Sequence, residues 1–459
     1  MSLEQASKSD TVAGKMAYFL ICATIVWTTL FYGTVHQPVI GLFYLVIGIL
    51  ALLWVIDAFR GGAIVIDKSL FQLPLAAAAI YGFVQVIPFG YIGSVGGVES
   101  IPRTISYDPF ATKVAALHFV ALFAFLAFAL AFINRSSRLR SIVRLVTVFG
   151  FLYAFFGILQ MVLSPTKIYG IYSSEFAKPF GSFVNRHNFA AYMEMTMAIP
   201  LGLYLSGAVQ KDKKLLYLTA VGVMGVALVL SGSRGGLVSV VAGVAFLMFI
   251  AYGRSGRKRM VVRVIAAAAV AGAIAIGAIL IGGETSFTRI AETAASKDIT
   301  TNRSEIWASS AKVVRDNFVF GVGMGAFGVA YAGYDRFNGL ERVEQAHNDY
   351  LEVLANTGLV GAFIGICFVF FVFRSGLRAV RSRDPLIRGA SAGALSGIFA
   401  VLVHSLFDFV LHTTAVSVLF LTLVAIVGVC ERLRGGERGR KRRKPEMADV
   451  MPIAKGTSA

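Results

Sequence analysis

Three basic residues stand where a membrane chain does not place them without cause. Arg234 sits in Ser231-Gly-Ser-Arg-Gly-Gly236, a tight turn between two apolar runs. An arginine there is costly unless it faces protein, water or an anion, and the glycines let backbone N–H groups approach a ligand closely. The other reading is a turn arginine that snorkels to lipid headgroups. Arg303 lies in Thr301-Asn-Arg-Ser-Glu305-Ile-Trp307. Asn302 and Glu305 have the spacing of a capping box, and Ile306, Trp307, Val313 and Val314 recur at helical spacing. A helix is expected from here to about Asp316, with Arg303 in its first turn. Free N–H groups at a helix start favour an anion, so Arg303 is a candidate phosphate clamp. A solvated loop arginine is the alternative.

His347 opens His347-Asn-Asp-Tyr-Leu-Glu352, where an apolar run begins again. A histidine at the membrane interface near Asp349 and Glu352 could serve as a general base, with one of those carboxylates orienting it. It could equally be an interfacial histidine bonded to backbone. His187, His404 and His412 lie at similar depth. Gly323-Met-Gly325-Ala-Phe-Gly328 matches a dinucleotide-binding pattern but follows an amphipathic helix rather than a strand, and the motif needs a βαβ unit. It is read as a glycine-rich loop. No His, Cys and Asp cluster has metal-ligand spacing.

These residues need a scaffold, and composition says which. The chain has 459 residues, 57% hydrophobic and 15% charged, with a mean hydropathy of +0.73. Soluble domains are roughly 45–50% apolar and about 25% charged. Twelve apolar stretches of spanning character follow one another: Met16–Phe31, Val39–Phe59, Leu70–Ile87, Val114–Ile133, Ile142–Leu163, Phe189–Leu205, Leu215–Leu230, Leu237–Tyr252, Val261–Ile281, Tyr350–Phe373, Ile387–Val403 and Ala415–Val429. The expected fold is an all-α integral membrane protein of about twelve transmembrane helices.

The net charge of +18 does not point to nucleic acid, because most basic residues fall in alternate short loops and at the C-terminal end. Short basic loops lie on the cytoplasmic side. This sets both termini in the cytoplasm and Arg234, Arg303 and His347 on the outer face. One large outer loop, about 282–346, separates the ninth and tenth stretches, and shorter ones run over 88–112 and 164–186. Residues 1–431 form the membrane domain. Residues 432–459 are expected to be a basic cytoplasmic tail without structure, a positive-inside anchor and not a patch for nucleic acid or anionic lipid. Cys22, Cys367 and Cys430 all lie in apolar stretches and suggest neither disulfides nor a metal site.

Taken in order, these segments resemble the O-antigen ligase and O-antigen polymerase superfamily, over most of the chain and most strongly from Ile105 onward. Ile105-Ser-Tyr-Asp-Pro-Phe-Ala-Thr112 and Pro179-Phe-Gly-Ser-Phe-Val-Asn185-Arg-His-Asn188-Phe-Ala190 look like two of its segments. The Arg234 turn, Arg303 to Trp307 with Gly321-Val-Gly323, His347 to Glu352 with Gly358, and His404-Ser-Leu-Phe-Asp408 look like its remaining ones. The resemblance implies a C-type membrane glycosyltransferase of the bacterial inner membrane, active at the periplasmic face in lipopolysaccharide or other polysaccharide biosynthesis. Such proteins move a glycan from undecaprenyl diphosphate to an acceptor hydroxyl, with inversion and with no metal, nucleotide or other cofactor. Arg234 and Arg303 would bind the diphosphate, His347 would be the base, and Asn185, Asn188, Asp349, Glu352 and Asp408 are possible supports. The acceptor would be lipid A core in a ligase or a growing glycan in a polymerase; a protein acceptor is disfavoured, because the outer loop is too small for a protein-binding domain. A transporter or flippase is the reading from another class. It fits less well, because the polar residues gather at one face and not at the midplane.

Overall fold

The computed structural model describes residues 11–94, 97–174, 177–252, 303–336 and 342–442. Eight helices come first: α1 (Val12–Leu30), α2 (Gln37–Gly61), α3 (Gln72–Val84), α4 (Pro109–Phe132), α5 (Ser136–Leu163), α6 (Arg186–Ser206), α7 (Lys214–Leu230) and α8 (Arg234–Tyr252). Five follow: α9 (Arg303–Asp316), α10 (Phe327–Ala332), α11 (Asp349–Ala379), α12 (Pro385–His404) and α13 (Thr414–Arg442). Two short antiparallel ribbons, Tyr91–Ile92 with Ile101–Pro102 and Lys167–Ile168 with Tyr172–Ser173, decorate the loops after α3 and α5.

Among the described residues nine helices are long and apolar enough to cross a membrane, so the chain is a multi-pass membrane protein. Eleven of the expected apolar stretches fall on helices; the ninth, Val261–Ile281, lies outside the described residues, as do 282–302 and 337–341 of the outer loop, with Asn302 of the expected capping box among them. Two of the eleven depart from simple spans. Helix α3 has only 13 residues, short of the ~20 that cross a bilayer core. Helix α6 carries Arg186 and Glu194 and is enclosed along nearly its whole length. The expected tail also begins differently, since α13 continues as helix through Arg432 to Arg442.

Packing divides the helices into shell and centre. The most apolar window of α13 is 94% buried, against 22% for α2, so α13 runs through the middle and α2 turns most of its surface outward. Helices α6 and α12 pack against each other more extensively than any other pair among the described residues, and a Cβ on Gly202 would lie 2.5 Å from the Gly389 carbonyl oxygen. Small residues permit that approach where lipid supplies no hydrophobic drive between helices.

Local chemistry ends the helices in order. Asp108, Asn185, Asn348 and Asp384 each accept a backbone N–H from the first turn of α4, α6, α11 and α12, as capping residues do. At the other end of the bundle arginines close carbonyl groups. Arg138 donates to Phe132 and Gly14; Arg432 pairs with Asp67 and donates to Leu130 and Ile133. Arg138 and Arg432 thus lie at the end opposite to Arg303 and His347.

Helix α11 is broken at Gly358, where φ is 60° and ψ is −158°, a region open essentially to glycine alone. Residues 318–323 fill the break: Leu359 N–H bonds Phe318, and Val322 N–H bonds Ala355. The first turns of α11 are thereby fixed at their own angle beside the loop that follows α12. A Cβ on Gly358 would lie 2.4 Å from the Val319 carbonyl oxygen. Gly358→Ala is expected to cost about 3 kcal/mol or more, read as a fall in Tm in detergent. A Tm unchanged within about a degree would refute this account of the break.

Candidate active site

The loop 405–413, between α12 and α13, is where the polar residues meet. The side chain of its Asp408 is 3% exposed and serves three cationic or ionisable side chains. Arg303 Nη2 lies 3.2 Å from Oδ2, and Nη1 of the same guanidinium donates to the Phe407 carbonyl. His347 Nδ1 lies 3.3 Å from Oδ1. His187 Nδ1 lies 3.5 Å from Oδ2. Burial by itself pushes the Asp408 carboxyl up. The hydrogen bond from His347 and the electrostatic interactions with His187 and Arg303 outweigh it and hold the group well below the usual carboxylate range.

Arg303 and His347 keep capacity for a ligand. Arg303 is 22% exposed and His347 33%. A guanidinium has five donors, and Asp408 and Phe407 use two of them. With Nδ1 turned to a carboxylate, the His347 tautomer places a proton there and a lone pair on Nε2. The backbone of His347 has φ +49°, unusual for a non-glycine residue, and its ring meets Phe409 edge-on at 4.9 Å.

Arg234 opens α8 at an exposed position. The Oγ of its predecessor Ser233 lies 2.8 Å from His187 Nδ1, which links the arginine turn to Asp408. The glycines after Arg234 serve close packing: a Cβ on Gly235 would meet the His404 ring at 2.9 Å, and one on Gly236 would meet Ala190 at 2.8 Å. Four helices, α6, α8, α9 and α11, begin around this loop, through His187, Ser233, Arg303 and Asn348. Their dipoles favour negative charge beside it.

The expected supports divide. Asp408 is the hub. Asn185 caps α6, and Asn188 donates to Thr413 Oγ1 at 2.6 Å, tying α6 to the start of α13. Asp349 and Glu352 do not orient His347, contrary to the expectation from their nearness in sequence. Asn348 caps α11, and the helix carries both carboxylates to another partner, His412, whose Nε2 lies 3.3 Å from Glu352 Oε1 and 3.6 Å from Asp349 Oδ1. Asp349 also accepts from Ser405 at 2.7 Å. The glycine-rich segment 323–328 leads into α10, and a Cβ on Gly323 would lie 2.4 Å from Ser106 Oγ, so its glycines permit close chain approach.

His412 shows a pH dependence with a definite sign. Burial alone would lower its pKa; Glu352 and Asp349 outweigh burial and raise it. Its stabilising contribution is therefore complete below the unfolded value of about 6.5 and is lost as pH rises through the higher folded value. The Tm difference between wild type and His412→Asn should be largest below about pH 6 and shrink in alkaline buffer. A difference that does not vary with pH would contradict this. The side chain is half-exposed, so solvent screening keeps the effect modest.

Sequence reasoning passed over His187, Ser233 and His404 as functional partners and did not weigh Glu194. The signal for the last was present: a carboxylate inside an apolar run. Among the described residues no group of three or more His, Cys, Asp or Glu could hold a metal ion. Beside the site, between α11 and α12, an apolar groove of about 350 Å³ starts at Tyr350 and Leu406 and is lined further by Val369, Phe373 and Phe399.

Comparison with curated proteins gives no match. Residues 219–366, which hold Arg234, Arg303 and His347 but not Asp408, match the model of a family described as O-antigen ligase, and this match supports the O-antigen ligase superfamily for the chain.

Proposed function

We propose that this protein transfers a glycan from undecaprenyl diphosphate to an acceptor hydroxyl, lipid A core in the first instance, at the periplasmic face of the inner membrane. The observation that carries the reading is the meeting of Arg303 and His347 on one buried carboxylate, Asp408. A leaving diphosphate needs cationic, bidentate donors, and Arg303 has donors to spare, with Arg234 one serine away from the same network. The acceptor hydroxyl needs a base, and Nε2 of His347 is the available lone pair. Attack at the anomeric carbon forms the new C–O bond, breaks the bond to the diphosphate oxygen and inverts the centre. The acceptor proton passes to His347, and the diphosphate leaves on its lipid. The apolar groove at Tyr350 and Leu406 suits a hydrocarbon chain whose headgroup sits among the arginines. The basic end of the bundle would face the cytoplasm, with the overall architecture that of a C-type glycosyltransferase.

The test is purified protein in detergent with an undecaprenyl-diphosphate-linked glycan and lipid A core. Glycan on lipid A core is the expected product. Longer carrier-linked glycan without transfer to lipid A core would replace the ligase with a polymerase. No product from a folded sample would overturn the enzyme reading. In a cysteine-free background, an impermeant thiol reagent outside the cell should label Ser173→Cys and spare Ser136→Cys; the reverse would invert the topology.

A further inference from the structure

A line of polar side chains runs inward from the site that the transfer step leaves unused. Glu194 and His404 are fully enclosed on α6 and α12, the most extensively packed pair among the described helices. Glu194 Oε1 lies 3.3 Å from His404 Nδ1. The other ring nitrogen, Nε2, lies 3.4 Å from Ser233 Oγ, and that hydroxyl lies 2.8 Å from His187 Nδ1. Ionisable groups enclosed in a membrane bundle are expensive and mark function more often than packing. This pair does not end in the core; it continues by hydrogen bonds to a histidine at the edge of the site.

Each neutral imidazole has one N–H and one lone pair, so with both rings neutral and every bond made the line runs in one of two directions. If Glu194 is ionised it can only accept. His404 Nδ1–H then donates to Glu194, Ser233 O–H donates to His404 Nε2, and His187 Nδ1–H donates to Ser233. His187 is left with a bare Nε2, which makes no hydrogen bond among the described residues. If instead Glu194 is protonated and donates to His404, every bond reverses and Nε2 of His187 carries the proton. The groups facing His187 decide between them. Arg186, Arg303 and His404 are cationic or neutral neighbours, and Asp408 is the anion; its Oδ2 lies 3.5 Å from the same Nδ1. An anion on that side favours the Nδ1–H form, in agreement with an ionised Glu194 at the far end.

We propose that Glu194 is a positioning residue which, through His404 and Ser233, holds His187 as the Nδ1–H tautomer, so that His187 Nε2 accepts a hydrogen bond from a glycan hydroxyl in the site. The tautomer follows from the geometry; only the glycan hydroxyl rests on the function proposed above.

The experiment is nitrogen NMR of protein labelled with ¹⁵N-histidine, with His187 assigned by comparison with His187→Gln. The wild type should show a protonated Nδ1 and a bare Nε2 at His187. Ser233→Ala, which removes one hydroxyl and breaks the line, should mix the two tautomers, and Glu194→Gln should do the same. A protonated Nε2 in the wild type, or an unchanged His187 signal in Ser233→Ala, would overturn the proposal. In the transfer assay Ser233→Ala should lower kcat about 10-fold with little change in KM, and Ser233→Thr should restore most of it; a loss in KM alone would overturn the positioning role. The expected tautomer in a protein that transfers no glycan would sink the function and leave the relay standing, whereas transfer with the opposite tautomer would sink the relay alone.

Discussion

Asp408→Asn should lower the rate of glycan transfer by about 10²–10³-fold. The carboxylate gathers Arg303, His347 and His187 and also accepts the Phe409 N–H at 3.0 Å. An amide of the same shape has only one oxygen and turns an NH₂ toward at least one donor. His347 then loses the anion that fixes its proton on Nδ1, and Arg303 loses the anchor that aims its remaining donors. The sign of the stability effect follows as well. The Asp408 carboxyl lies below the usual range because its partners outweigh burial. Its contribution is present above the unfolded value of about 3.9 and is lost as pH falls through the lower folded value. The Tm gap between wild type and Asp408→Asn should thus be open at neutral pH and close only in strong acid. An Asn variant that transfers glycan at a rate near wild type, with Tm unchanged, would show that Asp408 is not the hub.

The sequence made the scaffold readable wherever one physical signal dominated. Long apolar runs declared most of the helices, and the spacing of Ile306, Trp307, Val313 and Val314 marked α9, which ends at Asp316 as expected. Signals failed where context decided. Leu70–Ile87 is apolar enough for a span, yet only 13 of its residues form α3, since the turn at Gln85 is tied to Phe320 and Asn356 by its side chain. Arg432 looked like part of a solvated tail, but Asp67 and the carbonyls at the end of α4 hold it in the bundle.

The site was legible as residue types and not as pairs. Arg303, His347 and Asp408 all stood out, but His347 was assigned to Asp349 or Glu352, two and five residues away. Asn348 starts a helix between them and turns those carboxylates to His412, whereas the true partner is 61 residues distant. Pairing across such a distance depends on the break at Gly358 and on the loop after α12, and neither writes itself into local periodicity. Glu194 was hidden for a related reason: its partner His404 lies 210 residues away.

Arg303 separates charge from geometry. Arg303→Ala should reduce transfer about 10²–10³-fold, the scale of losing one positioned donor to developing negative charge. Arg303→Lys keeps the charge but is a point donor without the planar fork. It cannot hold the Phe407 carbonyl, Asp408 Oδ2 and a phosphate oxygen together, so it should recover less than about 10-fold of the loss. The decisive measurement is the double variant with Asp408→Asn. Residues that share one network give non-additive losses: once Asp408 has lost its charge, Arg303 is no longer aimed, and removing it should cost little more. Losses that multiply instead would mean that Arg303 meets the diphosphate independently of Asp408, and that the carboxylate serves His347 alone.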